Sequence, residues 1–252
     1  MLDQKKPVTP ISPLWLLWGC LLLTSVFSHA SNDAEIATPR MVEFEWMSLA
    51  SWNEKHKTQV KIAQQGNAEV LFLGDSITEG WTWGDNQSIF DHHFGQYKTA
   101  NFGIGGDQTQ HLLWRLENGA TGKLKPKVVV LMIGTNNFGH SNHSADQVTM
   151  GVAAIIKTVQ SSFRDTKILL MGIFPYDEKA TSKNRVRVAE TNRQLAEFGQ
   201  QSNISYYDFG AIFIDDHGNI PKSLMGDFLH PSHEGYQRLA TKLAPALQTM
   251  MK

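Results

Sequence analysis

The sequence predicts an α/β protein in which a five-stranded parallel sheet carries helices on both faces. Three observations carry that prediction. Five short apolar, β-branched or aromatic runs recur along the chain, longer stretches with apolar residues at helical spacing lie between them, and clusters of glycine and functional side chains follow the runs. Runs that are apolar at nearly every position belong to strands buried on both faces. Strands separated by helices pair in parallel.

The expected strands are Glu69–Leu73, Lys98–Phe102, Val128–Ile133, Lys167–Ile173 and Ile204–Phe209. A helix is expected from about Ser51 to Gln65, ahead of the first strand. Asp146 to Phe163 places Val148, Val152, Ile155, Ile156 and Val159 on one helical face, and Asn184 to Gln200 does the same with Val188, Leu195 and Phe198. Ser232 to Met250 carries Tyr236, Leu239, Ala240 and Leu243, with Ser232 as its N-cap. No internal repeat, low-complexity tract or second-domain linker interrupts the pattern, and 252 residues suffice for one sizeable domain. Apolar content of 41% supports a packed core, while a net charge of -1 and no basic stripe with interleaved aromatics argue against a nucleic-acid partner.

The N-terminus reads as a targeting segment. Lys5 and Lys6 precede an almost uninterrupted apolar run from Leu14 to Phe27, which is short for a spanning helix. Ser28-His29-Ala30 supplies small residues for cleavage after Ala30. The expected organisation is therefore a signal peptide over 1–30, an N-terminal extension over 31–50 and a single folded domain over 51–252 in a periplasmic or secreted protein. An uncleaved anchor and a lipid-modified Cys20 are the alternatives. The polar stretch from Ser31 to Arg40 is expected to be loose. Cys20 is the only cysteine, so the processed chain has no thiol.

The chemistry-bearing residues follow the strands. Gly74-Asp75-Ser76 comes after the first, Gly103-Ile104-Gly105-Gly106-Asp107 after the second, Gly134-Thr135-Asn136-Asn137 after the third, and Asp227-Phe228-Leu229-His230 after the fifth. In an open parallel sheet the carboxyl ends of the strands share one edge, where sites form. Ser76 is the candidate nucleophile, since Gly74 permits a tight turn that projects the hydroxyl. His230 is the candidate base and Asp227 the carboxylate that orients it, because a serine hydroxyl needs a base held in one tautomer. The backbone N–H groups of Ser76 and Gly106 and the amide of Asn136 are candidate oxyanion donors. Each motif taken alone has a plainer reading: a helix-capping serine, an exposed Asp and His, a turn glycine and a turn asparagine. Thr78 stands where a Gly-x-Ser-x-Gly elbow would place glycine.

Asp75 and Asp107 are expected to order their turns through backbone hydrogen bonds. Trp81, Trp83 and Trp114 are candidate pocket-lining residues, with core packing favoured for Trp114. His92, His93, His111, His140 and His143 lack metal-ligand spacing and read as surface or loop residues, so neither a metal nor a cofactor is expected.

Together the four blocks resemble the SGNH hydrolases, also called the GDSL esterase/lipase family, in order and spacing. The stretch from Asn101 through Leu116, with Gly134-Thr135-Asn136-Asn137 and Asp227-Phe228-Leu229-His230, is most similar to the platelet-activating-factor acetylhydrolase branch and its bacterial relatives. The resemblance covers Ser51 to the end of the chain. It implies a three-layer αβα, flavodoxin-like fold and ester hydrolysis without a cofactor. It also implies Ser76, Asp227 and His230 as a triad, and Ser76, Gly106 and Asn136 as the oxyanion hole. The expected function is a serine esterase removing a short, acetyl-type acyl group from a small-molecule ester such as an acetylated sugar or small lipid. A lysophospholipase or thioesterase, an acyltransferase on the same residues, and a non-catalytic carbohydrate- or lipid-binding module are the alternatives.

Overall fold

The computed structural model describes residue 1 and residues 33–252. The signal-peptide and cleavage expectations over 1–30, and Cys20 with them, lie outside the described residues save for Met1.

The five strands form where expected: β1 (Val70–Gly74), β2 (Thr99–Gly103), β3 (Val128–Met132), β4 (Lys167–Met171) and β5 (Ile204–Tyr207). All four pairings are parallel and the sheet order is β2-β1-β3-β4-β5. That is the flavodoxin-like doubly wound order, whose topological switch point lies between β1 and β3. The helices are α1 (Leu49–Gln65), α2 (Ser76–Glu79), α3 (Asn86–Phe94), α4 (Thr109–Arg115), α5 (Thr135–Ser141), α6 (Ala145–Ser162), α7 (Lys183–Ala196) and α8 (His233–Met250).

Alternation along each strand divides the core into two layers. Leu71, Leu73, Val129, Leu131, Ile168 and Leu170 face α4, α6 and α7 through Leu112, Val152, Ile155 and Leu195. Val70, Phe72, Val130, Met132, Leu169 and Met171 face α3 and α8 through Phe90, Phe94, Tyr236, Leu239 and Leu243. Both faces are covered, which is why the strands read as continuous apolar runs. Ser48, Ser144, Ser182 and Ser232 cap α1, α6, α7 and α8 by accepting an N–H of the first turn. Among the described residues, no helix is long and apolar enough to cross a membrane.

Three strands, β3, β4 and β5, end earlier than expected, and the reason for β4 is a side chain. Asn192 of α7 takes both backbone groups of Ile173, accepting its N–H at 2.8 Å and donating to its carbonyl at 2.9 Å. Ile173 therefore leaves the ladder although it is wholly buried. β5 stops at Tyr207, two residues short of the expected Phe209.

The expectation of a loose segment up to Arg40 is corrected from residue 33 onward. Ala34 and Arg40 are buried. Thr109 Oγ1 donates to the Ala34 carbonyl at 2.7 Å, Thr38 N–H donates to Gln110 O at 3.2 Å, and Asp33 pairs with His143 at 2.7 Å. Composition misleads here because the strap docks on polar partners in the domain rather than on an apolar stripe.

Candidate active site

Ser76 stands two residues beyond the end of β1. Gly74 is required there because a Cβ would lie 2.1 Å from Thr78 Oγ1 and 2.4 Å from the Met132 carbonyl. Asp75 caps α2, its Oδ1 accepting Ile77 N–H at 3.0 Å, as its expected turn-ordering role requires. Tyr236 of α8 donates its hydroxyl to the Ile77 carbonyl at 2.7 Å and ties this turn to the opposite layer. Ser76 is thereby held with its side chain at the sheet rim, only 9% exposed.

The Asp227–His230 loop comes to meet it from 154 residues away. Asp227 Oδ1 accepts the N–H groups of Leu229 at 3.0 Å and His230 at 2.8 Å, and its Oδ2 lies 2.6 Å from His230 Nδ1. The opposite ring nitrogen, Nε2, lies 2.9 Å from Ser76 Oγ. With Nδ1–H donated to the carboxylate, Nε2 is left as the acceptor for the serine hydroxyl. Burial acts to raise the Asp227 pKa, but the donors of His230 and Leu229 outweigh it and hold the carboxyl below its ordinary value. The loop stores strain at Phe228, a non-glycine residue at φ 60°, whose carbonyl is pinned by Asp177 N–H at 2.9 Å. Trp83 packs against the His230 ring at 5.5 Å between centroids.

Gly106 and Asn136 border the same space. Gly106 adopts φ 74°, and the missing Cβ leaves room for Trp46, Arg40 and Phe44 of the N-terminal strap. Asn136 Nδ2 donates to the Asp107 carbonyl at 3.0 Å and makes a longer contact of 3.4 Å with Asp75 Oδ2. Among the described residues, no acceptor takes the backbone N–H of Ser76 or of Gly106. Ser76, Gly106, Asn136, Asp227 and His230 all line one cavity of about 780 Å³. All five predicted site residues are thus brought together, at the switch point between β1 and β3.

Several neighbours differ from expectation. Asp107 is not mainly a turn residue: wholly buried, it pairs with Arg40 at 3.0 Å and Arg115 at 2.7 Å, and it accepts Trp52 Nε1–H at 2.7 Å. His143, expected in a loop or at the surface, lies in the loop between α5 and α6 but is buried there between Asp33 and Asn137, and His111 is mostly buried on α4, with burial driving its pKa down to about 4. Of the three tryptophans, Trp83 lines the cavity, Trp81 is core, and Trp114 packs on Trp52 and His56. Among the cavity residues that motif reading missed are Trp46, Met47, Lys55, Glu79, His140 and Tyr176. Only the aromatic pair Phe44 and Trp46, set just before the Ser48 cap, offered a signal. Asp75 is buried beside the site, and desolvation pushes its carboxyl from 3.8 up to about 7. No three metal-ligating side chains converge among the described residues.

Residues 72–238 match the family described as GDSL-like Lipase/Acylhydrolase. The chain is 35% identical over 209 residues to the platelet-activating factor acetylhydrolase IB subunit alpha1 of Bos taurus, covering 82% of each chain. It is 32% identical over 202 residues to the alpha2 subunit of Rattus norvegicus, covering 80% of this chain and 85% of that one. A GDSL-like lipase from Bacteroides thetaiotaomicron shares the fold, with a TM-score of 0.65 at 19% identity over 79% of this chain and 98% of that one.

Proposed function

Because the chain belongs to the GDSL-like lipase/acylhydrolase family, we propose that it is a serine esterase that hydrolyses short-chain, acetyl-type carboxylic esters. The observation that carries this reading is the continuous hydrogen-bonded line from Asp227 Oδ2 through His230 to Ser76 Oγ, at 2.6 and 2.9 Å. A serine is a weak nucleophile until a positioned base can take its proton, and this line supplies the base and its orientation.

In the proposed reaction Ser76 Oγ attacks the ester carbonyl carbon while its proton passes to His230 Nε2. The carbonyl oxygen becomes an oxyanion facing the N–H groups of Ser76 and Gly106 and the Asn136 amide, which exchanges its long Asp75 contact for a charged acceptor. Collapse breaks the bond to the alcohol oxygen, which leaves with the proton held on Nε2. Water then attacks the acyl-Ser76 carbonyl as His230 takes its proton. Acetate departs, and the proton returns to Ser76 Oγ. Asp227 stabilises the transient imidazolium throughout and stays ionised. These steps call for no metal or cofactor. An acetyl group is supported by the relatives' name, acetylhydrolase. The leaving group would occupy the outer cavity between Trp46 and Trp83, which are 58% and 42% exposed and offer ring faces to a sugar or a small lipid alcohol. Export of the chain to the periplasm or medium belongs to the same proposal, on the strength of Lys5, Lys6, the apolar run and the Ser28-His29-Ala30 exit.

The test is turnover of p-nitrophenyl esters of rising acyl length and of acetylated sugars, by wild type and Ser76→Ala. Acetate should be the preferred acyl group, and Ser76→Ala should lose about 10⁴–10⁶ in kcat without a change in unfolding temperature. Near-normal turnover by the folded variant would remove the mechanism, and a preference for long chains would remove the acetyl assignment.

A further inference from the structure

The loop that carries Gly106 is clamped from two directions, and one clamp comes from the N-terminal strap. Gly105 N–H donates to Glu79 Oε2 at 2.8 Å, and Lys55 holds the other oxygen of that carboxylate. The carbonyl of Gly105 accepts Arg40 Nη2 at 2.5 Å. That carbonyl belongs to the same peptide unit as the Gly106 N–H. No peptide bond in the described chain is cis, so carbonyl and N–H point in opposite directions. Arg40 grips one end of the unit, and the other end, the unpaired Gly106 N–H, is directed away from it.

We propose that Arg40 is a positioning residue for ester hydrolysis, which orients and polarises the Gly105–Gly106 peptide so that its N–H meets the developing oxyanion. This rests on the esterase reading above. Two physical effects act together. A cation donating to an amide carbonyl draws electron density toward that oxygen, and hydrogen bonds in series strengthen one another in a low-dielectric interior. The same grip removes the freedom of the peptide to swing, so the donor needs no reorganisation when charge appears.

Arg40 is itself held rigidly. Its guanidinium reaches Asp107 at 3.0 Å and Met47 Sδ at 3.3 Å, and it lies over the Phe44 and Trp52 rings at 5.3 and 5.9 Å. Asp107 is shared with Arg115, so the carboxylate that anchors Arg40 is itself fixed from a second side. Arg40 lies outside the 72–238 segment that matches the family, so the catalytic loop depends on a part of the chain beyond that match.

The experiment compares wild type, Arg40→Lys, Arg40→Met and Ser76→Ala on p-nitrophenyl acetate, with thermal unfolding confirming each fold. Binding is measured for a boronic acid, which adopts tetrahedral geometry on serine, and for acetamide, a planar ground-state mimic. Loss of one direct oxyanion donor costs roughly 10²–10³ in rate, and an indirect effect should be smaller. Arg40→Met should therefore lose about 10- to 100-fold in kcat with KM within about threefold, and Arg40→Lys, which keeps the cation, less. Boronate affinity should fall in parallel with kcat/KM while acetamide binding holds. If Arg40→Met does not fold, Arg40→Lys alone reads the same split. Unchanged kcat and boronate affinity in a folded Arg40 variant, or a loss confined to KM, overturns the role of Arg40 while an inactive Ser76→Ala leaves the esterase reading standing. An active Ser76→Ala overturns the esterase reading itself.

Discussion

The two sides of the site are built in opposite ways. The Ser76 side is deep: Asp75, Gly106 and Asp107 are buried, and Asp107 joins Arg40, Arg115 and Trp52 without access to water. The His230 side is open, with side-chain exposures of 26% for His230 and 56% for Asp227, and it is organised by a four-residue loop that bonds mainly to itself. The difference follows from the work proposed for each. Dipoles that must face a transient anion act best in a dry, fixed frame. A base that takes a proton from serine and later from water needs a path to solvent. Turnover should therefore depend on both sides, whereas stability should depend mainly on the buried ion-pair frame behind the first.

The same Asp-to-Asn change on each side is the sharpest way to break that comparison. Asp227→Asn should lower kcat by about 10⁴, the scale expected when a base loses its enforced tautomer. Its effect on stability should stay within about 1 kcal/mol, since the pair is exposed. A wild-type rate in Asp227→Asn would mean that another group orients His230. Asp107→Asn should do the reverse first. It strands two buried guanidinium groups, for which the cost is about 3–5 kcal/mol, read as a lower midpoint in urea denaturation. A shift under about 1 kcal/mol would mean that the cluster does not hold the deep side together.

The finest distinction is in pH. Asp75 and Asp227 are carboxyls moved in opposite directions. Asp75 is raised to about 7, so the folded state holds its proton more tightly. Its contribution to stability is fully present below the ordinary carboxyl value of 3.8 and is lost as pH rises through about 7. Asp227 is lowered, so its contribution is present above the ordinary value and is lost as pH falls through the folded one. Asp75→Asn, which keeps a capping oxygen, should flatten the decline in unfolding temperature from about pH 4 to 7. Asp227→Asn should leave that decline alone and change only the acid side. An unaltered profile in Asp75→Asn would show that its carboxyl titrates normally.

The open side was the more legible in the sequence. Asp227 and His230 are three residues apart, and the three hydrogen bonds that Asp227 makes to Leu229 and His230 lie within their loop. The apolar runs likewise announced the sheet, and Ser232 marked where α8 begins, because strand burial and helix capping are local physics. The deep side was legible only in part. Ser76, Gly106 and Asn136 stood out because each follows a strand in a glycine-rich turn.

What the sequence determined by itself is therefore the class of fold, the order of its elements and the five residues that meet at the rim. Hydrophobic periodicity and turn chemistry are written in neighbouring positions. Only the tertiary structure decided that Arg40 and Asp33 belong to a packed strap, that Asp107 is an ion-pair hub and that Trp46 walls the cavity. The contacts of Arg40 with Gly105 and Asp107 and of Asp33 with His143 join residues 65 to 110 positions apart. A polar residue in a polar stretch carries no local sign of the buried charge or carbonyl that it will meet across the fold, since its burial is stabilised by that distant partner and not by its own neighbours.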